Sequence, residues 1–253
     1  MQLQVEPTLL VGFCLVLVRA TTWAMICPPF NAPSIPVRVR VGLSVALSFL
    51  LAERVGEQVG DMGTAALVGA LFTQIIAGLL LGFFVFVLFT AVQMAGELLD
   101  LQVGFSMGSV LDPLSGNNST PLGRFHQLLG VAILFAINGH VIVARAFIRS
   151  VEQAPLGDIN LDKALASLTG LLGILLMAAI EIALPLLTAL FCAELALGFL
   201  GKAAPQLNIL VIGFAVKSFI TFLLLGATLA LLPESVESLL GRAVRLGLGI
   251  FTG

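Results

Sequence analysis

The sequence has 253 residues, of which 59% are hydrophobic and only 10% charged, with a formal net charge of -2 and a mean hydropathy of +1.12. An ordinary soluble domain carries roughly 25% charged residues, so this composition excludes one and indicates a membrane protein. The lysines and arginines are scattered, which excludes the basic stripe that neutralises nucleic-acid phosphates.

A helix crossing a bilayer core needs about 20 predominantly apolar residues. Six segments are read against that length, at 8–26, 37–52, 64–96, 128–148, 168–200 and 207–232, with short polar breaks between them. They predict a single all-α membrane domain over residues 1–253, built of long, bent helical hairpins.

The first segment follows MQLQVEP, which has no basic n-region, and it contains Arg19 without a small-residue cleavage site. It is therefore expected to stay in the protein rather than serve as a cleaved signal. The second segment is short for a span. The third runs for about 33 residues, or about 50 Å as one straight helix. Within it Gly78 and Gly82 form a GxxxG pair that lets a neighbouring helix approach closely.

The break at 99–127 is rich in Gly, Ser, Asn and Pro and reads as a loop. The fourth segment carries Asn138-Gly139-His140, where a lone histidine beside glycine reads as structural. His126 is expected to be solvated or to face a partner. In the fifth segment Pro185 lies between Glu181 and Glu194, and a proline there is expected to break or kink the helix into a bent hairpin. Pro233 is expected to close the sixth. The charges beyond it, Glu234, Glu237, Arg242 and Arg245, suit a short amphipathic, solvated helix.

Charges in the connections do not orient the chain. Arg38, Arg40, Arg124 and Lys202 fall on one side, against Arg54, Arg149, Lys163, Arg242 and Arg245 on the other. Ionisable side chains within or beside the apolar segments are Arg19, Glu97, Asp100, Arg145, Glu181, Glu194, Lys202 and Lys217. Each costs at least about 2.5 to 3.5 kcal/mol at the centre of a bilayer, so each should face protein or water. Glu97 and Asp100 share a helix face, as do Arg145 and Arg149. Buried structural pairs, contacts with partner subunits, and an ion or proton pathway are the readings open to them.

Cys14, Cys27 and Cys192 lack CxxC spacing, and two histidines add no zinc-like pattern. No metal or cofactor is expected, and the cysteines read as buried spectators. Gly104-Phe105-Ser106-Met107-Gly108 matches GxSxG, with Asp112 and His126 following in order. That elbow needs a strand feeding a helix, and no strand-like alternation surrounds it. No catalytic role is assigned. What the loop offers is flexible glycines beside apolar tips: Gly104, Phe105, Ser106, Met107, Gly108, Val110 and Leu111 could close a pore by excluding water. An ordinary surface loop remains the simpler alternative at this point.

Three ordered blocks carry a resemblance. AGELLDLQVGFSMGSVLDPLSGNNSTPLGRF (95–125), LFAINGHVIVARAFIRSVEQAPLG (134–157) and AELALGFLGKAAPQLNILVIGFAVK (193–217) resemble the FliR/SctT family, with the Pro-rich CPPFNAPSIPVRVRVGL supporting them. Lys202 departs from the pattern, which more often has Arg before APQ. The resemblance implies a subunit of the type III protein export gate in the bacterial inner membrane, at the flagellar basal body. It implies assembly with FliP and FliQ, FlhB alongside and FlhA nearby. Unfolded export substrates would pass through, and residues 104–121 would plug the closed pore. Unequal segments and an undecided charge bias suit such an assembly. With no Walker A sequence in the chain, export energy would come from elsewhere. A virulence-system homologue and a small-solute secondary transporter are the alternatives.

Overall fold

The computed structural model describes residues 7–32, 35–60, 62–106 and 120–251, apart from the side chain of Ala227. Among these residues there are seven helices and no strand: α1 (Pro7–Ile26), α2 (Val37–Val59), α3 (Thr64–Val103), α4 (Pro121–Ala136), α5 (Gly139–Gln153), α6 (Leu161–Ala203) and α7 (Ile209–Gly249). The chain is an all-α membrane protein. Four helical stretches are long and apolar enough to cross a bilayer, namely α1, α3, α6 and residues Ile209–Gly226 of α7, and α4 with α5 forms a bent pair that would make a fifth. α3 has 40 residues and α6 has 43. At 1.5 Å per residue each is about twice as long as the hydrocarbon core is thick.

The second segment extends beyond its apolar run. α2 continues to Val59 because Val55, Gly56 and Val59 stay on its buried face while Glu53, Arg54, Glu57 and Gln58 point outward. It stops at Gly60, whose φ of 43° suits a residue without a Cβ. The fourth segment is instead two helices. They part at Ile137–Asn138, where Asn138 adopts a left-handed conformation with φ 56°, a role that asparagine tolerates better than most side chains.

The expected break at Pro185 is absent, since α6 passes through it as one helix. α7 likewise passes through Pro233, and Leu232, Val236, Leu240 and Ala243 are buried along it. The region beyond Pro233 is thus an amphipathic helical end, as expected, with Glu234, Glu237, Arg242 and Arg245 exposed and the opposite face buried; it continues the helix instead of starting a new one. A proline inside a helix costs about 3 kcal/mol. Abandoning the helix in an apolar surround would leave several backbone groups unpaired at several kcal/mol each, and this larger penalty keeps both helices intact.

The chain divides into two compact units, the first comprising Met1–Leu88, Asn138–Leu172 and Leu240–Gly253, the second Phe89–Ile137 and Gly173–Leu239. In the first, α1 and α2 lie almost backbone to backbone. A Cβ on Gly12 would collide with the Ala52 carbonyl and Gly56, and one on Gly56 with the Thr8 carbonyl. The GxxxG pair acts as its spacing suggests: Gly78 lies against the Arg19 carbonyl and Thr22 of α1, and Gly82 against the Trp23 carbonyl. Trp23, fully buried, packs its ring 4.9 Å from Phe147 and 5.1 Å from Phe30, centroid to centroid. In the second unit Ala95, Leu99 and Val103 of α3, Leu122 of α4, and Ala183, Leu186 and Leu190 of α6 form a continuous core. Large apolar side chains cover the outside, among them Phe191, Phe199, Leu210, Phe219 and Phe222.

Candidate functional site

The end of α3 and the start of α4 flank the segment expected from the resemblance to plug a pore, and both helix ends are held by charged side chains. Asp100, one turn before the end of α3, is fully buried. Its Oδ2 accepts the backbone N–H of Gly123 at 2.9 Å, in the first turn of α4 after Pro121. Thr120, the residue preceding α4, makes no side-chain capping bond of its own. Asp100 therefore supplies from α3 the acceptor that a helix N-terminus requires. The close passage depends on glycine: a Cβ on Gly96 would collide with the Leu122 carbonyl and Gly123.

At the other end, Lys217 of α7 donates from Nζ to the Gln102 carbonyl at 2.8 Å. The Gln102 side chain donates from Nε2 to Glu194 Oε2 of α6 at 2.6 Å. Gly104 turns the chain out of the helix with φ 103°. Phe105 then lies edge-on to Phe214 at 5.7 Å and tilted against Phe222 at 6.3 Å. Ser106 stands in this same turn, not between a strand and a helix. Met107, Gly108, Val110 and Leu111, together with Asp112, lie outside the described residues.

A second polar constellation belongs to the first unit. Arg19, fully buried, donates to the Ala154 carbonyl at 2.8 Å and the Ser150 carbonyl at 2.9 Å. Its guanidinium lies 4.7 Å from the centroid of the Phe251 ring. Gln74 donates to the Pro155 carbonyl and Thr73 to the Leu156 carbonyl, at 2.7 Å for the latter. Gly157, with φ 81°, backs onto Thr73. The SVEQAPLG block, the last turn of α5 and the loop after it, is thus gripped through its backbone. Thr73 and Gln74 did not stand out in the sequence, although two polar residues inside a long apolar run were the available signal.

Residues 10–243 match the family of bacterial export proteins, family 1. The chain belongs to that family. It is 30% identical to the flagellar biosynthetic protein FliR of Pectobacterium carotovorum subsp. carotovorum over 93% of its own length and 90% of that protein. It is also 30% identical to the flagellar biosynthetic protein FliR of Escherichia coli (strain K12), covering 91% of this chain and 88% of the relative. The surface presentation of antigens protein SpaR of Shigella flexneri is 26% identical, over 61% of this chain and 60% of that one.

In this export protein the remaining ionisable residues divide by exposure. Glu97 is partly buried and accepts from Gln93 Nε2 at 2.8 Å, one turn back on α3. Arg145, Glu181, Glu194 and Lys202 are exposed on the isolated chain. Lys202 lies in the last turn of α6, where a cation complements the helix dipole. His126 is not solvated as its loop-edge position suggests. It is buried in α4, with Nδ1 2.9 Å from the Leu122 carbonyl oxygen. Of the cysteines only Cys27 is buried, while Cys14 and Cys192 face outward because each lies on the apolar outer face of its helix. No cluster of metal-ligating side chains occurs among the described residues.

Proposed function

We propose that this membrane protein is a subunit of the type III protein export gate of the flagellum, one that conducts unfolded subunits across the cell membrane. It assembles with FliP and FliQ, beside FlhB and near FlhA, and residues 104–121 serve as the plug of the resting pore. Family membership and the flagellar names of relatives aligned over about nine-tenths of the chain support the export role.

The observation that best supports a shared gate is the outer face of α6. Glu181 and Glu194 lie exposed there among Leu184, Phe191 and Leu195. Carboxylates on a lipid-facing helix are expensive, and a polypeptide partner covering this face removes that penalty. The plug reading draws support from Gly104 and Phe105, which leave α3 on a glycine-permitted turn and seat an aromatic ring against α7. Catalysis has no part in the proposal, and neither does a cofactor.

A virulence secretion subunit is the second reading. SpaR favours it, but only over 61% of the chain, so the flagellar assignment has the broader support. Native mass spectrometry of the chain co-produced with FliP and FliQ tests the assembly. A stable mixed complex is expected. A homo-oligomer indifferent to both proteins would overturn the gate and leave a small-solute transporter in its place.

A further inference from the structure

We infer that the face of α6 centred on Glu181 is covered by a membrane-spanning helix of a partner subunit, apolar along its length except for one basic side chain that meets the Glu181 carboxylate. The inference rests on the gate reading above and adds to it the chemistry of the partner.

α6 has an inner and an outer side. Ala179, Ala183, Leu186 and Leu190 are buried, and at about 3.6 residues per turn they share one side of the helix. Met177, Leu184, Phe191 and Leu195 are exposed on the other, and Glu181, Thr188 and Cys192 stand among them. The two exposed carboxylates of α6 differ in what meets them. Glu194, toward the edge of this face, accepts from Gln102 Nε2 at 2.6 Å. Among the described residues nothing bonds to Glu181. Thr188 gives its hydroxyl to the Leu184 carbonyl at 2.8 Å, so it neither answers the carboxylate nor needs an outside partner itself. The chain thus leaves one strong acceptor unanswered in the middle of an apolar strip.

Three surroundings could cover that strip, and they fit unequally. Lipid suits the four apolar side chains but not a carboxylate. No other charged residue lies between Lys163 and Glu194, so Glu181 has no charged neighbour along the helix to share the cost. Water hydrates the carboxylate but leaves Met177, Leu184, Phe191 and Leu195 exposed to it, which the hydrophobic effect opposes. An apolar helix carrying one lysine or arginine opposite Glu181 satisfies both demands, because a charge-assisted hydrogen bond replaces the carboxylate's lost hydration while the apolar side chains pack. A single acceptor on the strip calls for a single base.

The test uses the full chain, alone in detergent and in its complex with FliP and FliQ, with Cys14→Ala and Cys27→Ala leaving Cys192 as the remaining thiol. Cys192 stands about three turns from Glu181 on the same strip. N-ethylmaleimide should label it readily in the chain alone and at least about ten times more slowly in the complex, where the partner helix denies access to the thiol. Glu181→Met then separates a charged contact from an apolar one. It removes no contact within the chain, so the isolated variant should melt as the wild type does. In the complex it leaves the partner's cation unpaired, and native mass spectrometry should show about tenfold more dissociated chain. A mixed complex in which Cys192 labels as fast as in the isolated chain overturns the inference and leaves lipid or water on this face. A protected Cys192 with a Glu181→Met complex as stable as the wild type overturns the basic side chain. Absence of any mixed complex overturns the gate reading, and this inference with it.

Discussion

The guanidinium of Arg19 in α1 donates to the carbonyl of Ala154, 135 positions further along the chain, in a fully buried site. With its second bond to Ser150 and its place beside Phe251, Arg19 ties α1 to two other stretches of the first unit through one side chain. A planar fork can satisfy two carbonyls at once, which a point-like ammonium cannot.

Replacing Arg19 with Met should therefore destabilise the protein by roughly 2 to 4 kcal/mol, from lost charged hydrogen bonds and the space left behind. Arg19→Lys should recover less than half of that. Thermal unfolding of the detergent-purified chain checks both, and a wild-type melting temperature for Arg19→Met would show that the clamp contributes nothing.

Gly78 offers a sharper contrast within α3. Gly78→Leu forces a side chain into the Arg19 carbonyl and Thr22, and overpacking of this kind costs about 1 to 3 kcal/mol. Gly69→Ala, which enters open space, should be neutral or stabilising by up to about 1 kcal/mol through helix propensity. Steady-state levels in membranes should fall for the first variant only.

Cys27 should resist modification. Its Sγ lies 3.3 Å from the Pro28 carbonyl in a buried site, and burial pushes the thiol pKa well above its usual value. The reactive thiolate is thus scarce at pH 8 and becomes available only at higher pH. In the detergent-purified chain, maleimide at pH 8 should modify the exposed Cys192 and spare Cys27 until SDS is added. Equal rates in the folded chain would contradict the burial of Cys27.

Deleting residues 105–111 tests the proposed plug directly. Assembly with FliP and FliQ should survive, because Asp100, Gln102 and the start of α4 are untouched, while resting cells should leak ions or small molecules. A tight membrane with continued export would remove this segment from the gate.

Reading the sequence succeeds where one residue's chemistry decides the outcome. Gly78 and Gly82 are legible as a close helix crossing because nothing else at that spacing admits a neighbouring backbone. Arg19 and Asp100 are legible as groups that must face protein or water because lipid would not accept them, and which of the two each would face is not. Their partners are not legible, since both bond to backbone groups that every residue possesses, and no side chain in the sequence marks Ala154 or Gly123 as the acceptor or donor. Pro185 and Pro233 mislead for another reason. Local chemistry favours a break, but each helix is held by many backbone bonds on either side, and the apolar setting penalises their loss more than it penalises one proline. The turn at Asn138 reverses that case, because an Asn-Gly pair within an apolar run signals an end to helix that hydropathy alone hides.

The stretch from Ser150 to Gly157, the end of α5 and the turn after it, has a consequence for how this protein tolerates change. Arg19, Gln74 and Thr73 all grip it by carbonyl oxygens, and a carbonyl is supplied by whatever amino acid occupies the position. The specificity of these hydrogen bonds therefore resides on the donor side, while on the held side Gly157 is fixed by its positive φ. Gln153, exposed on this stretch, can be exchanged without loosening the grip, whereas Arg19, Gln74 and Thr73 cannot; Glu152 carries a contact of its own, accepting from Arg54 Nη1 at 2.8 Å. A saturation scan would find the constraint written in residues far from the stretch they hold.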